Sequence, residues 1–366
     1  MKYLNRSVSV LGATLGLLSL SYLLPLQAAT AKDYSSLNVF GDSLVDAGNI
    51  FNLTGFPPSP LYDQKLSNGP VWVETLAAEL DLSPELSSVV LPDILSGTGP
   101  VPTAGINYAL AGSLSSDLNT GGPELPGLQQ QIETFAALSQ VAPPDADALH
   151  VLLAGGNDYN QAIRNPTADL TLLPEQVTDN LTTAATTLIG AGAKNLLIVN
   201  LPALGDQPLA DNLNQLNPQS STLLTGLSTQ HNLLLSQKIS ALEATTEAHI
   251  TQLDLAGFFI DATTNPAKFG LTNVENSCLL NPQPDSSASG VCQQPDEFLF
   301  WDDIHPTAAV HSAIAQFALT TLNKSADGPK SDRDSQDIPE PSAIIGLLAL
   351  ASVTLWQQRS VPKAAK

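Results

Sequence analysis

The stretch "SLNVFGDSLVDAGN", residues 36–49, joins an apolar run to a cluster of turn-forming residues. The run 36–40 predicts a short buried strand, and Gly41, Asp42 and Ser43 predict the turn that ends it. Ser43 is therefore either an ordinary turn residue or a nucleophile at the carboxyl end of a strand. Because such short strings are common in proteins, the rest of the chain has to distinguish these two interpretations.

Strand-like and helix-like segments alternate along the middle of the chain. Apolar runs predict further strands at 148–156, at 195–202 and, with the exit from the strand included, at 249–259. Amphipathic spacing predicts helices at 69–80, 125–140, 174–193, 220–247 and 305–322. This alternation favours an α/β fold, a three-layer α/β/α sandwich with a central, mainly parallel sheet.

The composition limits the classes of partner. Of 366 residues, 43% are hydrophobic, which is enough for a substantial core. Asp and Glu number 35 against 14 Lys and Arg, and the net charge is −21. A nucleic-acid-binding protein needs a basic surface, so this balance argues against nucleic acid as a partner. It also disfavours anionic membrane surfaces. We expect a monomer.

The two ends of the chain are typical of signals and linkers. Residues 1–31 combine a basic start, an apolar run and the small-residue stretch "QAATA", as in a secretory signal peptide. An uncleaved membrane anchor is the alternative. The stretch 324–338 is mostly polar and predicts a flexible linker. The folded domain is therefore expected at 32–323.

The last segment, 339–366, begins with "PEP", continues in a short apolar run and ends in a basic tail. In this order of parts it resembles the PEP-CTERM sorting signal. The resemblance implies an exosortase-type processing enzyme as a partner, and a location in the cell envelope, the extracellular matrix or the medium. A plain tail anchor is the alternative, because the apolar run is short for a permanent span.

The two cysteines, Cys278 and Cys292, lie in a loop rich in Pro, Ser and Asn. In an oxidising compartment we expect them to form a disulfide, and free thiols are the alternative. Two cysteines cannot build a structural zinc site alone, and the nearby loop offers no histidine before His305. We expect no metal and no cofactor.

Reactive side chains follow the predicted strands, and in parallel sheets chemistry gathers at the carboxyl ends of strands. A serine hydroxyl needs a base, histidine serves best near neutral pH, and a carboxylate holds the histidine tautomer. Ser43, His305 and Asp302 supply these three roles, with Asp303 as the competing carboxylate. The sequence therefore predicts a nucleophile, a base and an acid from distant parts of the chain.

A tetrahedral oxyanion also needs hydrogen-bond donors. The candidates are the backbone N–H of Ser43, the backbone N–H of Gly112 and the side-chain amide of Asn157. Two further carboxylates of the first motif, Asp42 and Asp46, are expected to form structural hydrogen bonds around the turn. Asp158 is expected to hold its loop, and the other histidines are expected to be structural: His150, His231, His249 and His311.

Four blocks resemble the GDSL family of lipases and esterases, also called SGNH hydrolases. They are "FGDSLVDAGN" (40–49), "GINYALAGS" (105–113), "AGGNDY" (154–159) and "DDIHPT" (302–307). The stretch "LSNGPVWVETLA" (66–77) also resembles larger secreted members, and the whole resemblance spans roughly 34–322. It implies a flavodoxin-like SGNH fold with Ser43 as nucleophile, Asp302 and His305 as acid and base, and Gly112 and Asn157 in the oxyanion hole. Many relatives have Gly-Gly where this chain has Ala111 before Gly112.

The function expected from these features is exported hydrolysis of carboxylic esters through an acyl-enzyme on Ser43. The expected substrates are acyl esters, lipids or acetylated sugars. One alternative is a polysaccharide O-deacetylase. Another is a catalytically silent envelope or matrix protein that keeps the fold as a binding module.

Overall fold

The computed structural model describes residues 33–165, 167–215, 217–281, 283 and 288–326. The predicted leader, most of the predicted linker and the predicted sorting signal lie outside the described residues. Within the described residues, no helix combines the length and the apolar character needed to span a bilayer.

The central sheet has six strands, and every neighbouring pair is parallel. In chain order the strands are β1 (Leu37–Gly41), β2 (Glu85–Leu86), β3 (Ile106–Asn107), β4 (Leu149–Leu153), β5 (Asn195–Val199) and β6 (His249–Leu253). Their order across the sheet is β2-β3-β1-β4-β5-β6. From β1 the chain goes to β2 at one edge, returns to β3 beside β1, and then crosses to β4, β5 and β6 on the other side. The direction of winding therefore reverses beside β1, and the crevice at such a switch point is where α/β sheets bind ligands.

Helices connect the strands and cover both faces of the sheet. They are α1 (Asn49–Thr54), α2 (Trp72–Glu79), α3 (Ser87–Ser96), α4 (Leu128–Ser139), α5 (Gly156–Ala162), α6 (Leu173–Gly190), α7 (Pro208–Asn214), α8 (Ser220–Glu243), α9 (Leu255–Thr264) and α10 (Ala308–Ala326). The predicted strand 249–259 stops at Leu253, because Asp254 caps a new helix by accepting from the N–H of Gly257. Helix α10 continues to Ala326, inside the predicted linker.

The strands alternate their side chains between two helical layers, as the period of a strand requires. Val39 and Val151 point to one face and pack with residues of α2, α9 and α10. Phe40 and Leu152 point to the other face and pack with residues of α4, α6 and α8. All four are fully buried, as expected for parallel strands covered on both faces. The predicted three-layer α/β/α sandwich is confirmed.

A smaller region lies beside the carboxyl ends of the strands. Strands β7 (Asn273–Ser277) and β10 (Phe298–Phe300) pair in parallel, and β8 (Leu279–Leu280) pairs with β9 (Gly290–Val291) as a hairpin. The predicted disulfide between Cys278 and Cys292 is present in this region. The N–H of Cys278 donates to the carbonyl of Phe300, so the cross-linked hairpin is tied to β10, the strand that leads into the predicted acid–base loop.

Candidate active site

Ser43 lies two residues beyond Gly41, the last residue of β1. Gly41 ends the strand with a φ of +145°, and a Cβ there would lie 1.8 Å from the carbonyl oxygen of Leu153 on β4. Only glycine permits this approach. The following turn is closed by N–H groups of Val45 and Asp46, which donate to the carbonyl of Asp42. The close packing of β1 on β4 thus fixes where Ser43 leaves the sheet.

The structure brings the predicted nucleophile, base and acid together. His305 Nε2 lies 2.8 Å from Ser43 Oγ, across a sequence separation of 262 residues. His305 Nδ1 lies 2.8 Å from Oδ2 and 2.9 Å from Oδ1 of Asp302. The carboxylate favours the tautomer with the proton on Nδ1, which leaves Nε2 free to accept from the serine hydroxyl.

Asp303, the competing carboxylate, points elsewhere. Its Oδ1 accepts from Ser277 Oγ at 2.9 Å, and its Oδ2 accepts from Asn212 Nδ2 at 2.8 Å. Its backbone carbonyl accepts from the N–H of Leu209. Of the two adjacent carboxylates, Asp302 is therefore the one placed against His305, while Asp303 ties the loop to α7 and β7.

The charge state of Asp302 follows from its surroundings. Burial acts to raise the pKa of this carboxyl. The charge and ring N–H of His305 act against burial, as do the backbone N–H groups of His305 and Ile304, and the pKa of Asp302 falls below its ordinary value. Asp302 is therefore a buried carboxylate that stays ionised at neutral pH and can stabilise an imidazolium.

The predicted oxyanion donors lie around the same cavity. Gly112 has a φ of +81°, and a Cβ there would lie 2.6 Å from Asn119 Oδ1 and from Thr120 Oγ1, so a side chain is excluded. Asn157 lies in the first turn of α5, and its Nδ2 donates to the carbonyl of Ser113 at 3.0 Å. An amide NH₂ has two hydrogens, so one remains for another acceptor.

The two backbone N–H groups are also free to bind another acceptor. Among the described residues, neither the N–H of Ser43 nor the N–H of Gly112 donates a hydrogen bond to another protein atom. Both residues line the cavity that contains Ser43 Oγ, together with Asn157. Their placement suits the predicted oxyanion role, which stays a prediction.

Buried carboxylates join the separate motifs to one another. Asp46 accepts from the N–H groups of Gly48, Asn49 and Ile50 in its own turn and from the N–H of Ala111, the neighbour of Gly112. Burial raises the pKa of Asp46, although these donors act to lower it. This carboxylate therefore fixes the loop of Gly112 relative to the turn of Ser43.

Asp158 performs a similar role from α5. Its two oxygens accept from the N–H of Ser115 at 2.9 Å and from Ser115 Oγ at 2.8 Å. Burial raises the pKa of Asp158 to about 6. Asp158 therefore ties the start of α5, where it lies, to the loop after Gly112.

Sequence reasoning missed Gln131 on α4. Its Oε1 accepts from the N–H of Gly41 at 2.8 Å, and its Nε2 donates to the carbonyl of Gly41 at 2.9 Å. The same Nε2 lies 2.9 Å from Ser113 Oγ. The available signal was a glutamine on the helix face of Leu128 and Phe135, where an apolar residue would be expected.

The remaining histidines are structural. Burial lowers the pKa of His150 to about 4 and the pKa of both His231 and His311 to about 3, so these rings stay neutral. His249 is exposed at the start of β6. No group of three or more His, Cys, Asp or Glu residues in the described ranges is arranged to hold a metal ion.

The cavity beside Ser43 has a volume of about 570 Å³ and two chemically different walls. One wall is apolar and consists of residues that also pack on one another: Ile50, Phe56, Leu66 and Ala111. The other wall is polar and consists of residues three or four positions apart on α5 and its end: Asn157, Asn160, Gln161 and Arg164. The reactive serine lies in a pocket of the size that small-molecule sites have.

The parallel sheet and the side chains at its switch point have the arrangement of a serine hydrolase. The chain belongs to the GDSL-like Lipase/Acylhydrolase family, whose model matches residues 37–318. That match includes all four blocks that the sequence analysis singled out.

Two curated relatives illustrate the family. The chain is 27% identical to the phosphatidylcholine-sterol acyltransferase of Aeromonas hydrophila over 351 residues, which cover 84% of this chain and 95% of that protein. It is 25% identical to the GDSL esterase/lipase At1g29660 of Arabidopsis thaliana over 314 residues, which cover 76% of this chain and 85% of that protein.

Among solved structures, the chain is similar to the acetyl xylan esterase AlAXEase, with 14% identity and a TM-score of 0.40 over 78% of this chain and 98% of that chain. It is also similar to Axe2, an acetylxylan esterase from Geobacillus stearothermophilus. There the identity is 15% and the TM-score 0.41, over 80% of this chain and 96% of that chain.

Proposed function

We propose that the protein is an exported serine hydrolase that cleaves carboxylic esters through an acyl-enzyme. The observation that carries the proposal is the continuous chain of contacts from Ser43 Oγ through His305 to Asp302, which opens into a cavity. Family membership supports the reaction type, because the matched family is one of lipases and acylhydrolases, and this combination of nucleophile, base and orienting carboxylate can attack an ester.

In the proposed reaction, His305 Nε2 takes the proton of Ser43 Oγ as the oxygen attacks the ester carbonyl. The resulting oxyanion accepts hydrogen bonds from the N–H groups of Ser43 and Gly112 and from Asn157 Nδ2. His305 then gives its proton to the leaving alcohol. Water, deprotonated by His305, attacks the acyl-enzyme and releases the acid, and Ser43 regains its proton.

The two walls of the cavity suggest how an ester is oriented. We assign the acyl group to the apolar wall, because Ile50 and Phe56 offer it only apolar surface. We assign the alcohol to the polar wall, where Asn160 and Arg164 offer hydrogen bonds and a positive charge. The polar wall also favours a second candidate function, removal of acetyl groups from a sugar or polysaccharide, because a sugar leaving group carries many hydroxyls.

Export is the further part of the proposal. It rests on the leader-like segment 1–31, on the sorting-signal-like segment 339–366 and on the disulfide between Cys278 and Cys292, since disulfides persist in oxidising compartments. An exosortase-type enzyme is the proposed partner for the C-terminal segment. Detection of the processed protein outside the cytoplasm, with its mature ends mapped by mass spectrometry, tests this part separately.

The first test of the reaction is to compare the purified protein with Ser43→Ala. We expect hydrolysis of p-nitrophenyl acetate, butyrate and palmitate by the native protein, and a loss of at least about 10⁴-fold in kcat for the variant. A fluorophosphonate should label the native protein only. Release of acetate from acetylated xylan separates the deacetylase from the general esterase.

A folded native protein that neither labels nor hydrolyses any of these esters would overturn the proposal. The alternative of a silent binding module would then replace it. Equal melting temperatures of the native protein and Ser43→Ala exclude misfolding of the variant as the explanation of lost activity.

A further inference from the structure

We propose that Tyr62 is a positioning residue for the acid–base pair, and that its hydroxyl limits how strongly Asp302 holds the protonated form of His305. This inference rests on the proposed function, because it assigns a role to Tyr62 only if His305 acts as the base. Tyr62 touches the carboxylate and not the nucleophile, so its effect reaches the reaction through Asp302.

The two oxygens of Asp302 have different partners. Oδ1 accepts from the backbone N–H of Ile304 at 2.9 Å and of His305 at 2.8 Å, so the loop itself orients this oxygen. Oδ2 accepts from Tyr62 Oη at 2.9 Å. Apart from the ring of His305, Tyr62 is the partner of Oδ2 among the described residues. Tyr62 and Asp302 are 4% and 6% exposed, and both line the cavity that contains Ser43.

The ring of Tyr62 is held from behind by the disulfide-linked region. It packs edge-on against Trp301, with ring centroids 6.3 Å apart and planes at 90°. Cys278 and Leu279 belong to the same buried cluster. The N–H of Leu279 donates to the carbonyl of Trp301, the residue between β10 and Asp302. The residues behind Tyr62 are therefore joined to the segment that enters the acid–base loop. Packing, rather than the hydrogen bond alone, fixes the direction of the hydroxyl.

Tyr62 is also the first contact of a longer segment, Tyr62–Trp72, which we call the brace. Ser67 Oγ donates to the carbonyl of Pro306 at 3.0 Å. Asn68 Oδ1 accepts from the N–H of Ala308 at 2.8 Å and so caps α10 from outside the helix. The brace therefore lies alongside the segment that runs from Asp302 through the loop of His305 into α10.

At its far end the brace meets α10 again. The N–H of Trp72 donates to His311 Nδ1 at 3.2 Å, and His311 is fully buried. The brace therefore contacts the acid–base loop, the first residue of α10 and the first turn of that helix. The Tyr62 hydroxyl lies at the end of this series nearest to the reacting atoms, and it is the contact that changes the electrostatics of the pair.

Titratable groups from several elements surround the pair. Asp42 from the turn after β1 interacts electrostatically with His305, and burial raises the pKa of Asp42 to about 7. Asp303 is the next residue of the loop, and burial raises its pKa as well. His311 from α10 stays neutral because burial lowers its pKa to about 3. Tyr62 adds a neutral donor to this group of carboxyls and imidazoles.

The partners of Asp302 Oδ2 determine whether the Tyr62 hydroxyl strengthens or weakens the hold of Asp302 on the protonated ring of His305. A hydrogen bond from the tyrosine withdraws charge from this oxygen, which otherwise directs all of its charge to the ring of His305. Without the hydroxyl, the two backbone donors still orient the carboxylate, but the protonated ring is held more tightly. Less of His305 is then present as free base at a given pH, and proton uptake from Ser43 begins at higher pH.

The test is the pH dependence of kcat/KM for p-nitrophenyl butyrate with Tyr62→Phe in the full chain. We expect the acid limb of the profile to move to higher pH by about half a unit, with KM nearly unchanged. The matched control is Tyr108→Phe. Tyr108 is equally buried, 4% exposed, and stacks on Phe40 in the helical layer, so its variant should keep the native profile.

A lower plateau with an unmoved acid limb would show that Tyr62 is merely structural, and a limb moved to lower pH would overturn the inference as well. If Tyr62→Phe fails to fold, a fluorinated tyrosine at this position decides, because it is a stronger donor and should move the limb to lower pH. Failure of the proposed function is distinguishable: the native protein itself would then be inert, or Ser43→Ala would stay active.

Discussion

Ser43 and His305 are held by two different kinds of structure. Ser43 follows β1 at the centre of the sheet, and its turn is closed by Asp46 from the same motif. His305 lies on a loop outside the six-stranded sheet, and the brace that supports this loop lies about 240 positions earlier in the chain. The turn of the nucleophile is thus closed within its own motif, whereas the acid–base loop is supported by a distant segment.

The comparison shows that two different kinds of contact fix the positions of the two side chains. The sheet positions the nucleophile through strand register and a glycine contact, which leave little freedom. The acid–base loop is instead joined to β10 by a bridge between Phe300 and Pro306, and side-chain hydrogen bonds with the brace add to its order. We therefore expect variants of the groups that support Ser43, apart from Ser43 itself, to act mainly on stability, and variants of Asp302 and Tyr62 to act mainly on the reaction.

The largest expected effect comes from the acid of the second half. Asp302→Asn should lower kcat/KM by about 10³- to 10⁴-fold, because the amide NH₂ can favour the wrong histidine tautomer and a neutral amide does not stabilise the imidazolium by charge. Steady-state kinetics with a soluble ester at pH 8 measures this loss. The control is Asp303→Asn, which removes a neighbouring carboxylate that contacts Ser277 and Asn212 instead. Equal losses in the two variants would contradict the assignment of Asp302.

The next effect compares stability between the halves. Asp46→Asn replaces one of two oxygens that accept four backbone N–H groups, so we expect a loss of about 2–4 kcal/mol in unfolding free energy. Asn68→Ala removes the outside cap of α10 and should lose only about 1 kcal/mol. Urea unfolding measures both values. A loss for Asn68→Ala as large as that for Asp46→Asn would remove the contrast between the halves.

The third effect is a pH dependence of stability, and it compares one buried carboxyl from each half. The pKa of Asp302 is lowered, whereas burial raises the pKa of Asp42 to about 7. Because the folded value of Asp42 exceeds the unfolded value near 4, its contribution to stability is complete below about pH 4 and is lost as the pH rises through 7. Asp42→Asn keeps the acceptor for the N–H of Leu44 and cannot ionise.

The difference in unfolding free energy between Asp42→Asn and the native protein should therefore grow in favour of the variant between pH 4 and pH 8, by up to about 4 kcal/mol. Urea unfolding across this pH range measures the difference directly, and effects of the buried histidines cancel because both proteins share them. A difference that stays constant with pH would mean that Asp42 titrates normally in the folded protein.

Local patterns predict much of this molecule. The alternation of apolar runs and amphipathic segments predicts the three layers, and the structure brings together Ser43, Asp302 and His305 as the motifs suggest. Strand and helix ends are less well predicted. The run 148–156 ends as a strand at Leu153, because Gly155 with a φ of +117° turns the chain directly into α5. A glycine in sequence indicates a turn, but not the short helix behind it.

The brace illustrates what sequence reasoning could not find. The stretch 66–77 is recognisable by its resemblance to relatives, yet nothing in it indicates a contact with a loop some 240 positions away. Tyr62 has no neighbouring residue that signals an acid–base partner. Such contacts arise from packing of the disulfide-linked region on β10, which depends on the whole fold rather than on any local period.

The strand that carries the nucleophile is the first of the sheet to be synthesised and is complete only when the fold is complete. β1 pairs on one side with β3 and on the other with β4, both later in the chain. Ser43 meets His305 only after 262 further residues. Contacts of such separation form slowly compared with local ones. Until they form, Ser43 is an ordinary alcohol, so a growing or partly folded chain carries the nucleophile without its reactivity.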